Sequence, residues 1–181
     1  MTKTIYLVRH CQAEGQSFSA NLTNIGYEQA ERLADFLIDK NIEALRSSPY
    51  LRAIHSVKPL AEKLNLQIEE DSRLSERVLC SDDRPDWMQM LEDSFNDLDL
   101  CYEGGESSRT AMARGISVIT EVFECVEKTT VLATHGNLMA LIIRHYDQSF
   151  GFEQWKALSN PDVYCIKFDG QTRQIDRIWG V

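Results

Sequence analysis

The sequence lacks the features that mark membrane, secreted and zinc-binding proteins. None of its apolar runs approaches the ~20 residues of a membrane-spanning helix, and no signal-peptide pattern precedes the first predicted strand. The five cysteines, at positions 11, 80, 101, 125 and 165, are odd in number, widely spaced and without a Cys-x-x-Cys pair. We therefore predict a cytoplasmic protein with reduced thiols, no membrane partner and no metal site.

Basic residues are also scarce, because 19 Lys and Arg stand against 28 Asp and Glu for a formal net charge of −9. Nucleic-acid affinity depends on Lys and Arg at phosphates, so this balance argues against a nucleic-acid partner. A small phosphorylated substrate remains possible, since a pocket can be basic on an acidic surface. The length of 181 residues, with 43% hydrophobic residues, predicts one domain over 1–181 with a sizeable core.

The most informative stretch is a short apolar run that ends in an arginine and a histidine. Ile5–Val8 is rich in β-branched and aromatic residues and predicts a buried strand, which Arg9 and His10 follow directly. Ligands of open α/β sheets bind beyond the carboxyl ends of the strands. A cation and an imidazole there suggest a nucleophile or base beside an anion-binding group. Taken alone, the dipeptide fits a surface ion pair and an ordinary loop histidine better.

A second segment with the same organisation strengthens the functional interpretation. Thr129–Thr134 is again a short buried-strand pattern, and it continues directly into His135-Gly136-Asn137 and then a helix-length apolar stretch. Two of the four histidines thus occupy equivalent positions at the end of a predicted strand. We expect both to lie at the same edge of the sheet.

Strands and helices alternate along most of the chain. This alternation predicts an α/β fold, a three-layer α/β/α sandwich whose mostly parallel central sheet carries an antiparallel edge strand. The other predicted elements are a helix from an N-cap at Thr23 to about Lys40, a strand over Ile42–Arg46, a helix started by Ser47-Ser48-Pro49 and kinked or split at Pro59, a strand over Gln67–Glu70, a helix from Ser107 to about Val126, and strands over Asp162–Phe168 and Arg173–Trp179 joined at Asp169-Gly170.

The segment 77–106 differs from the rest in charge and length. It holds nine carboxylates and two arginines, and its apolar residues predict one short amphipathic helix within a long excursion. A loop of that length in a compact domain is usually a lid or a binding insertion. We predict a short helical lid, in which Trp87, Met88 and Phe95 contact either the substrate or the core of the lid itself.

Several short motifs occur in an order that resembles the histidine phosphatase superfamily, which is also called phosphoglycerate mutase-like. The ordered set is specific, although each motif is weak alone, and it extends to about residue 165. The motifs are Leu7-Val8-Arg9-His10, Leu22-Thr23 with Gly26, Ser47-Ser48-Pro49 with Arg52-Ala53, Glu76, Gly104-Gly105-Glu106-Ser107 and His135-Gly136.

The resemblance implies a role for each residue of a catalytic core. His10 would be the nucleophile that forms a phosphohistidine, Arg9, Arg52 and His135 would hold the phosphate oxygens, and Glu76 would be the proton donor. Phosphoryl transfer requires positioning and neutralised oxygen charge, and the planar arginine fork matches phosphate geometry. From the residues alone, Arg52 also fits a surface ion pair. Several carboxylates lie near Glu76 in the sequence, and only the resemblance selects Glu76 among them as the proton donor.

The resemblance further implies substrate contacts from Gln16, Thr23, Gly136 and Asn137, and it implies no cofactor and no metal. Three positions depart from the family pattern, and one of them, Gln12 in place of the frequent Glu, is a variant familiar within the family. Cys11 stands where family members usually have Gly, and Gln16 stands where they frequently have Asn. We expect the Cys11 side chain to narrow the pocket or to make the activity sensitive to oxidants.

The acidic insertion favours hydrolysis over mutase chemistry. A mutase must hold a substrate with a carboxylate and a second phosphate, which like charges would oppose. We therefore predict a phosphatase of small phosphorylated substrates whose leaving group is neutral, apolar or cationic, working as a monomer or weak homodimer. Phosphoglycerate mutase-type phosphoryl transfer and a non-catalytic member that binds phosphorylated ligands remain the alternatives.

Overall fold

Six strands form one sheet in the computed structural model, which describes residues 2–170 and 172–180. They are β1 (Thr2–Arg9), β2 (Ala44–Ser47), β3 (Ile68–Glu70), β4 (Thr129–Thr134), β5 (Asp162–Asp169) and β6 (Thr172–Arg177), in the order β3-β2-β4-β1-β5-β6. Strands β3, β2, β4 and β1 pair in parallel, whereas β5 pairs antiparallel with both β1 and β6. The predicted mostly parallel sheet with an antiparallel edge is confirmed.

Helices cover both faces of this sheet, as the sandwich prediction requires. They are α1 (Asn24–Leu37), α2 (Leu51–Leu64), α3 (Trp87–Asn96), α4 (Ser108–Glu124), α5 (Gly136–Tyr146) and α6 (Phe152–Lys156), with a 3-10 turn at Ser72–Leu74. Alternate residues of a strand point to opposite faces. Accordingly, Ile5 and Leu7 pack with α4 and α5, while Tyr6 and Val8 pack with α1 and α2.

The register of the two central strands sets the position of the site. Arg9 at the end of β1 pairs with Thr134 at the end of β4, and His10 N donates to the Thr134 carbonyl at 3.0 Å. The residue that follows each strand is a histidine, so parallel pairing brings His10 and His135 out side by side. The prediction that both leave the same edge of the sheet is confirmed.

The start of α2 differs from the prediction. The helix begins at Leu51, with Tyr50 at the N-cap position, so Ser48 is not the N-cap and Pro49 is not the first helical residue. The reason lies in tertiary structure, because the Ser48 hydroxyl is 2.8 Å from His135 Nε2. The Ser48 side chain therefore contacts the histidine that follows β4, the neighbour of β2 in the sheet, and does not cap the helix.

Two further predictions about helices were wrong in detail. Helix α1 ends at Leu37 rather than near Lys40, because the chain turns there and Asn41 adopts a left-handed conformation with φ 54°. Helix α2 continues through Pro59, so the predicted split was wrong, whereas the predicted kink stays a prediction. The fully buried Val57 and Leu60 on either side anchor the helix to the sheet.

The insertion contains the predicted short helix, α3, and most of its apolar stripe packs inward. Met90, Leu91 and Phe95 are buried, and Leu91 and Phe95 join the same cluster as α4 and α5. Trp87 and Met88 stay exposed at 45% and 41%. Phe95 is therefore part of the core, as the second alternative predicted.

Among the helices of the described residues, none combines the length and apolar character that a membrane crossing needs. The cytoplasmic location stays a prediction.

Candidate active site

His10 is held in one ring orientation by the backbone beside it. Its Nδ1 is 2.7 Å from the Cys11 carbonyl oxygen, which can only accept, so Nδ1 carries the proton and Nε2 carries the lone pair. Arg52 Nε donates to that Nε2 at 3.3 Å. Burial, together with the positive charges of Arg52 and Arg9, lowers the pKa of His10 from 6.5 to about 4. The imidazole is thus neutral at physiological pH, as a nitrogen nucleophile must be.

His135 lies next to His10, with the two ring centroids 5.1 Å apart. It is fully buried, and burial lowers its pKa well below the usual value, with His10 and Arg52 adding to the effect. Ser48 Oγ already accepts from Tyr50 N, so its own O–H can donate to His135 Nε2. In the tautomer in which Nε2 accepts from Ser48, the proton is on Nδ1, and this atom has no partner among the described residues. His135 therefore presents an unused N–H donor.

Arg52 lies in the first turn of α2, as predicted, and is almost completely buried at 1% exposure. Its Nη1 donates to the carbonyls of Gln16 and Ser17 at 3.0 and 2.8 Å, and its Nε faces His10. Burial lowers the pKa of this guanidinium, while Glu76 acts in the opposite direction. The surface ion pair considered for Arg52 is ruled out by this burial.

Arg9 approaches the same cluster from the end of β1. Its Nη1 donates to the carbonyls of Leu158 and Ser159, and its buried Nε lacks a partner within the described part of the chain. A Cβ at Gly136 would lie 2.9 Å from Arg9 Nε. Gly136 is thus required for the close approach of Arg9 to the start of α5.

Glu76 lies at the N-terminus of α5. Its two carboxylate oxygens accept from the backbone N–H groups of Arg77, Asn137 and Leu138 at 2.9 to 3.0 Å. Helix N-termini favour negative charge, which explains this placement. The predicted proton donor is therefore bound to the backbone two and three residues after His135, and its charge acts on both Arg9 and Arg52.

A second group of residues, missed in the sequence, positions the loop that carries Glu76. Arg114 on α4 donates from Nη1 to the carbonyls of Arg73 and Ser75 and pairs with Glu106. The sequence offered Glu106 only as part of the Gly104-Gly105-Glu106-Ser107 motif, and Arg114 had no local signal. These contacts hold the loop from the 3-10 turn to Glu76 against α4.

The other predicted substrate contacts have mixed outcomes. The Asn137 side chain is 7% exposed, and both its amide atoms are buried without a partner in the described structure, so it can face a ligand. Gln16 is exposed and contributes its carbonyl to Arg52. Thr23 is the N-cap of α1, because its hydroxyl accepts from Gly26 N. The same hydroxyl donates to Gln12 Oε1. The structure gives Thr23 a capping role.

Cys11 does not line the pocket, contrary to the expectation. The residue is fully buried in the cluster that α1 and α2 form on the face of the sheet, and its N–H donates to Ser56 Oγ at 2.7 Å. Burial raises the pKa of the thiol to about 11. Its side chain points away from the ring that its carbonyl orients.

The described residues contain no group of three or more His, Cys, Asp or Glu side chains arranged to hold a metal ion. The predicted absence of a metal or cofactor stays a prediction.

Comparison with known proteins identifies the family of the chain. The family model of the histidine phosphatase superfamily (branch 1) matches residues 5–179, so the chain belongs to that superfamily, as its motifs suggested. A protein of Hydrogenobacter thermophilus provisionally named phosphoserine phosphatase 2 is 31% identical over 97 residues. That match covers 50% of this chain and 48% of the relative, so it spans about half the length of the curated relative.

Solved structures confirm the fold. A mycobacterial glucosyl-3-phosphoglycerate phosphatase in complex with inorganic phosphate is 22% identical, with a TM-score of 0.78 over 99% of this chain and 97% of that one. A phosphoglycerate mutase of Bacillus anthracis is 17% identical, with a TM-score of 0.77 over 98% and 92% of the two chains. The family and its phosphatase-named relatives support a phosphatase, while the fold alone does not separate phosphatases from mutases.

Proposed function

We propose that this protein hydrolyses phosphomonoesters through a phosphohistidine on His10. The observation that carries the proposal is the fixed His10 ring, whose Nδ1 is bound to the Cys11 carbonyl and whose unprotonated Nε2 faces Arg52. A nucleophile needs an unprotonated nitrogen and a defined direction of attack, and the fixed ring supplies both. The Nε2 lone pair accepts from Arg52 Nε at 3.3 Å until a phosphate takes over that contact.

In the first step, His10 Nε2 attacks phosphorus and the ester P–O bond breaks, so the electron pair of that bond goes to the alcohol oxygen. Glu76, in its protonated form, gives that oxygen a proton. Arg9, Arg52 and the Nδ1–H of His135 balance the charge on the phosphoryl oxygens. In the second step, water attacks the phosphohistidine, Glu76 takes a proton from the water, and the P–N bond breaks to release phosphate and neutral His10.

The charges of the insertion favour hydrolysis over phosphoryl transfer between two positions of a multiply anionic substrate. Of its two arginines, Arg84 pairs with Asp86, while the buried Arg77 donates to the Glu106 carbonyl and to Ser94 Oγ and keeps an Nη2 without a partner among the described residues. With nine carboxylates against two arginines, the net charge of the insertion disfavours a second phosphate on the substrate. The names of the relatives, a phosphoserine phosphatase and a glucosyl-3-phosphoglycerate phosphatase, point the same way.

The proposal is tested with the purified chain, p-nitrophenyl phosphate and 3-phosphoglycerate, each with and without a chelator. We expect phosphate release that resists the chelator, and an acid-labile phosphoenzyme after rapid quenching. His10→Ala should abolish both. The matched control is His145→Ala, which changes an exposed histidine near the end of α5 and should leave both unchanged.

Each alternative has its own result in this assay. Interconversion of phosphoglycerates would support the mutase, and tight phosphate binding without any turnover would support a non-catalytic binder. Full activity of His10→Ala would refute the nucleophile assignment whatever the substrate.

A further inference from the structure

An exposed aromatic side chain lies beside the phosphate cluster and has no part in the proposed chemistry. Phe18, on the loop between β1 and α1, is 56% exposed. Its ring centroid is 4.9 Å from that of Tyr50, and the Tyr50 ring is in turn 4.9 Å from His135. The Arg52 guanidinium carbon lies 4.6 Å from the Tyr50 ring. The two rings therefore form a continuous aromatic wall from His135 out to solvent.

The backbone that carries Phe18 is held by the catalytic elements themselves. Arg52 Nη1 donates to the carbonyls of Gln16 and Ser17, and Leu51 N, at the start of α2, donates to the Phe18 carbonyl at 3.1 Å. Scattered exposed apolar residues are ordinary on protein surfaces. Phe18 differs because hydrogen bonds to three consecutive carbonyls fix its backbone beside Arg52, so its side chain starts from the rim of the site.

We propose that Phe18 and Tyr50 form a leaving-group subsite for phosphomonoesters of aromatic alcohols. The inference rests on the proposed function and adds the substrate class to it. A phosphate held between His10 and His135 would place its ester oxygen and the attached group within reach of this wall. Aromatic rings gain from offset or edge-to-face contact beyond the area they bury. The acidic insertion disfavours a negatively charged leaving group. A neutral aromatic leaving group avoids that repulsion and can also contact the two rings.

The test compares phenyl phosphate with glycerol 3-phosphate in the wild type, Phe18→Ala and Tyr27→Ala. Tyr27 is the matched control, because its ring is 45% exposed on α1 and its hydroxyl contacts His55. We expect Phe18→Ala to lower kcat/KM for phenyl phosphate about three- to tenfold, mainly through KM. The value for glycerol 3-phosphate and the inhibition by inorganic phosphate, which occupies only the clamp, should stay unchanged. Tyr27→Ala should change none of them.

A binding measurement separates failure of the subsite from failure of the proposed function. Calorimetry with benzylphosphonate and methylphosphonate, which are not hydrolysed, reports the aromatic preference without any turnover. If the wild type hydrolyses both esters but Phe18→Ala keeps the full preference for the aromatic ligands, the subsite is refuted and the phosphatase stands. If no ester is hydrolysed but benzylphosphonate binds more tightly and loses that advantage in Phe18→Ala, the subsite stands and the phosphatase is refuted.

Discussion

Because His10 is buried and neutral, the free energy of unfolding should fall as the pH falls below 6.5. The substitution His10→Gln should remove this contribution. Burial lowers the native pKa of His10 from 6.5 to about 4, so the unfolded chain binds the proton more readily than the native one. The stability that this group contributes is fully present above pH 6.5 and is lost as the pH falls from there to about 4. At about 1.36 kcal/mol per unit, the loss between about pH 8 and about pH 5 is about 2 kcal/mol.

The assay is urea unfolding of the wild type and His10→Gln at both pH values, because the free energies of unfolding give a double difference in which titrating groups that do not interact with His10 cancel. His135 does interact with it, and loss of His10 changes the pH dependence in the same direction. We expect the stability of His10→Gln to fall by about 2 kcal/mol less than that of the wild type. His145→Gln, at an exposed histidine, should keep the wild-type dependence. An equal fall in wild type and His10→Gln would show that His10 is not held neutral by burial and would refute the reasoning.

The remaining predictions concern Arg9 and the buried thiol. Gly136→Ala should lower kcat/KM about 100-fold with little loss of stability, because the added Cβ lies 2.9 Å from Arg9 Nε and moves that guanidinium. Gly151→Ala, whose nearest neighbour is at 3.6 Å, should keep full activity. Iodoacetamide should label the exposed Cys101 and leave the activity intact, since Cys11 is buried with its pKa raised to about 11. Loss of activity with alkylated Cys11 in a peptide map would contradict this.

The two histidines could be predicted from the sequence because the signal is local and the geometry follows from general rules. Each follows a short buried strand, and parallel strands end at the same edge of a sheet. The fold class followed from the same alternation of strands and helices. What the local pattern could not give was the pairing of β1 with β4, which makes the two histidines neighbours at 5.1 Å.

The failures have a common physical cause, namely tertiary contacts that override a strong local signal. Ser-Ser-Pro is a good helix start, yet Ser48 binds His135 and the helix begins three residues later, at Leu51. Cys11 follows His10 in the chain, yet its side chain turns to the opposite cluster. Arg114 has no local signal, because its partners at 73, 75 and 106 come together only in the fold.

The way the arginines are held explains why the cluster can attract a phosphate at all. Arg9 and Arg52 are anchored chiefly by carbonyl oxygens, those of Leu158 and Ser159 and of the segment 16–17. A carbonyl fixes the direction of a guanidinium without cancelling its charge, whereas a paired carboxylate would neutralise it. Of the carboxylates that act on Arg9, Glu76 is bound to backbone N–H groups at the start of α5, and Asp162 pairs with Arg177. The positive charge of the two arginines therefore stays available in a buried cluster, where its attraction for a phosphate is stronger than it would be in water.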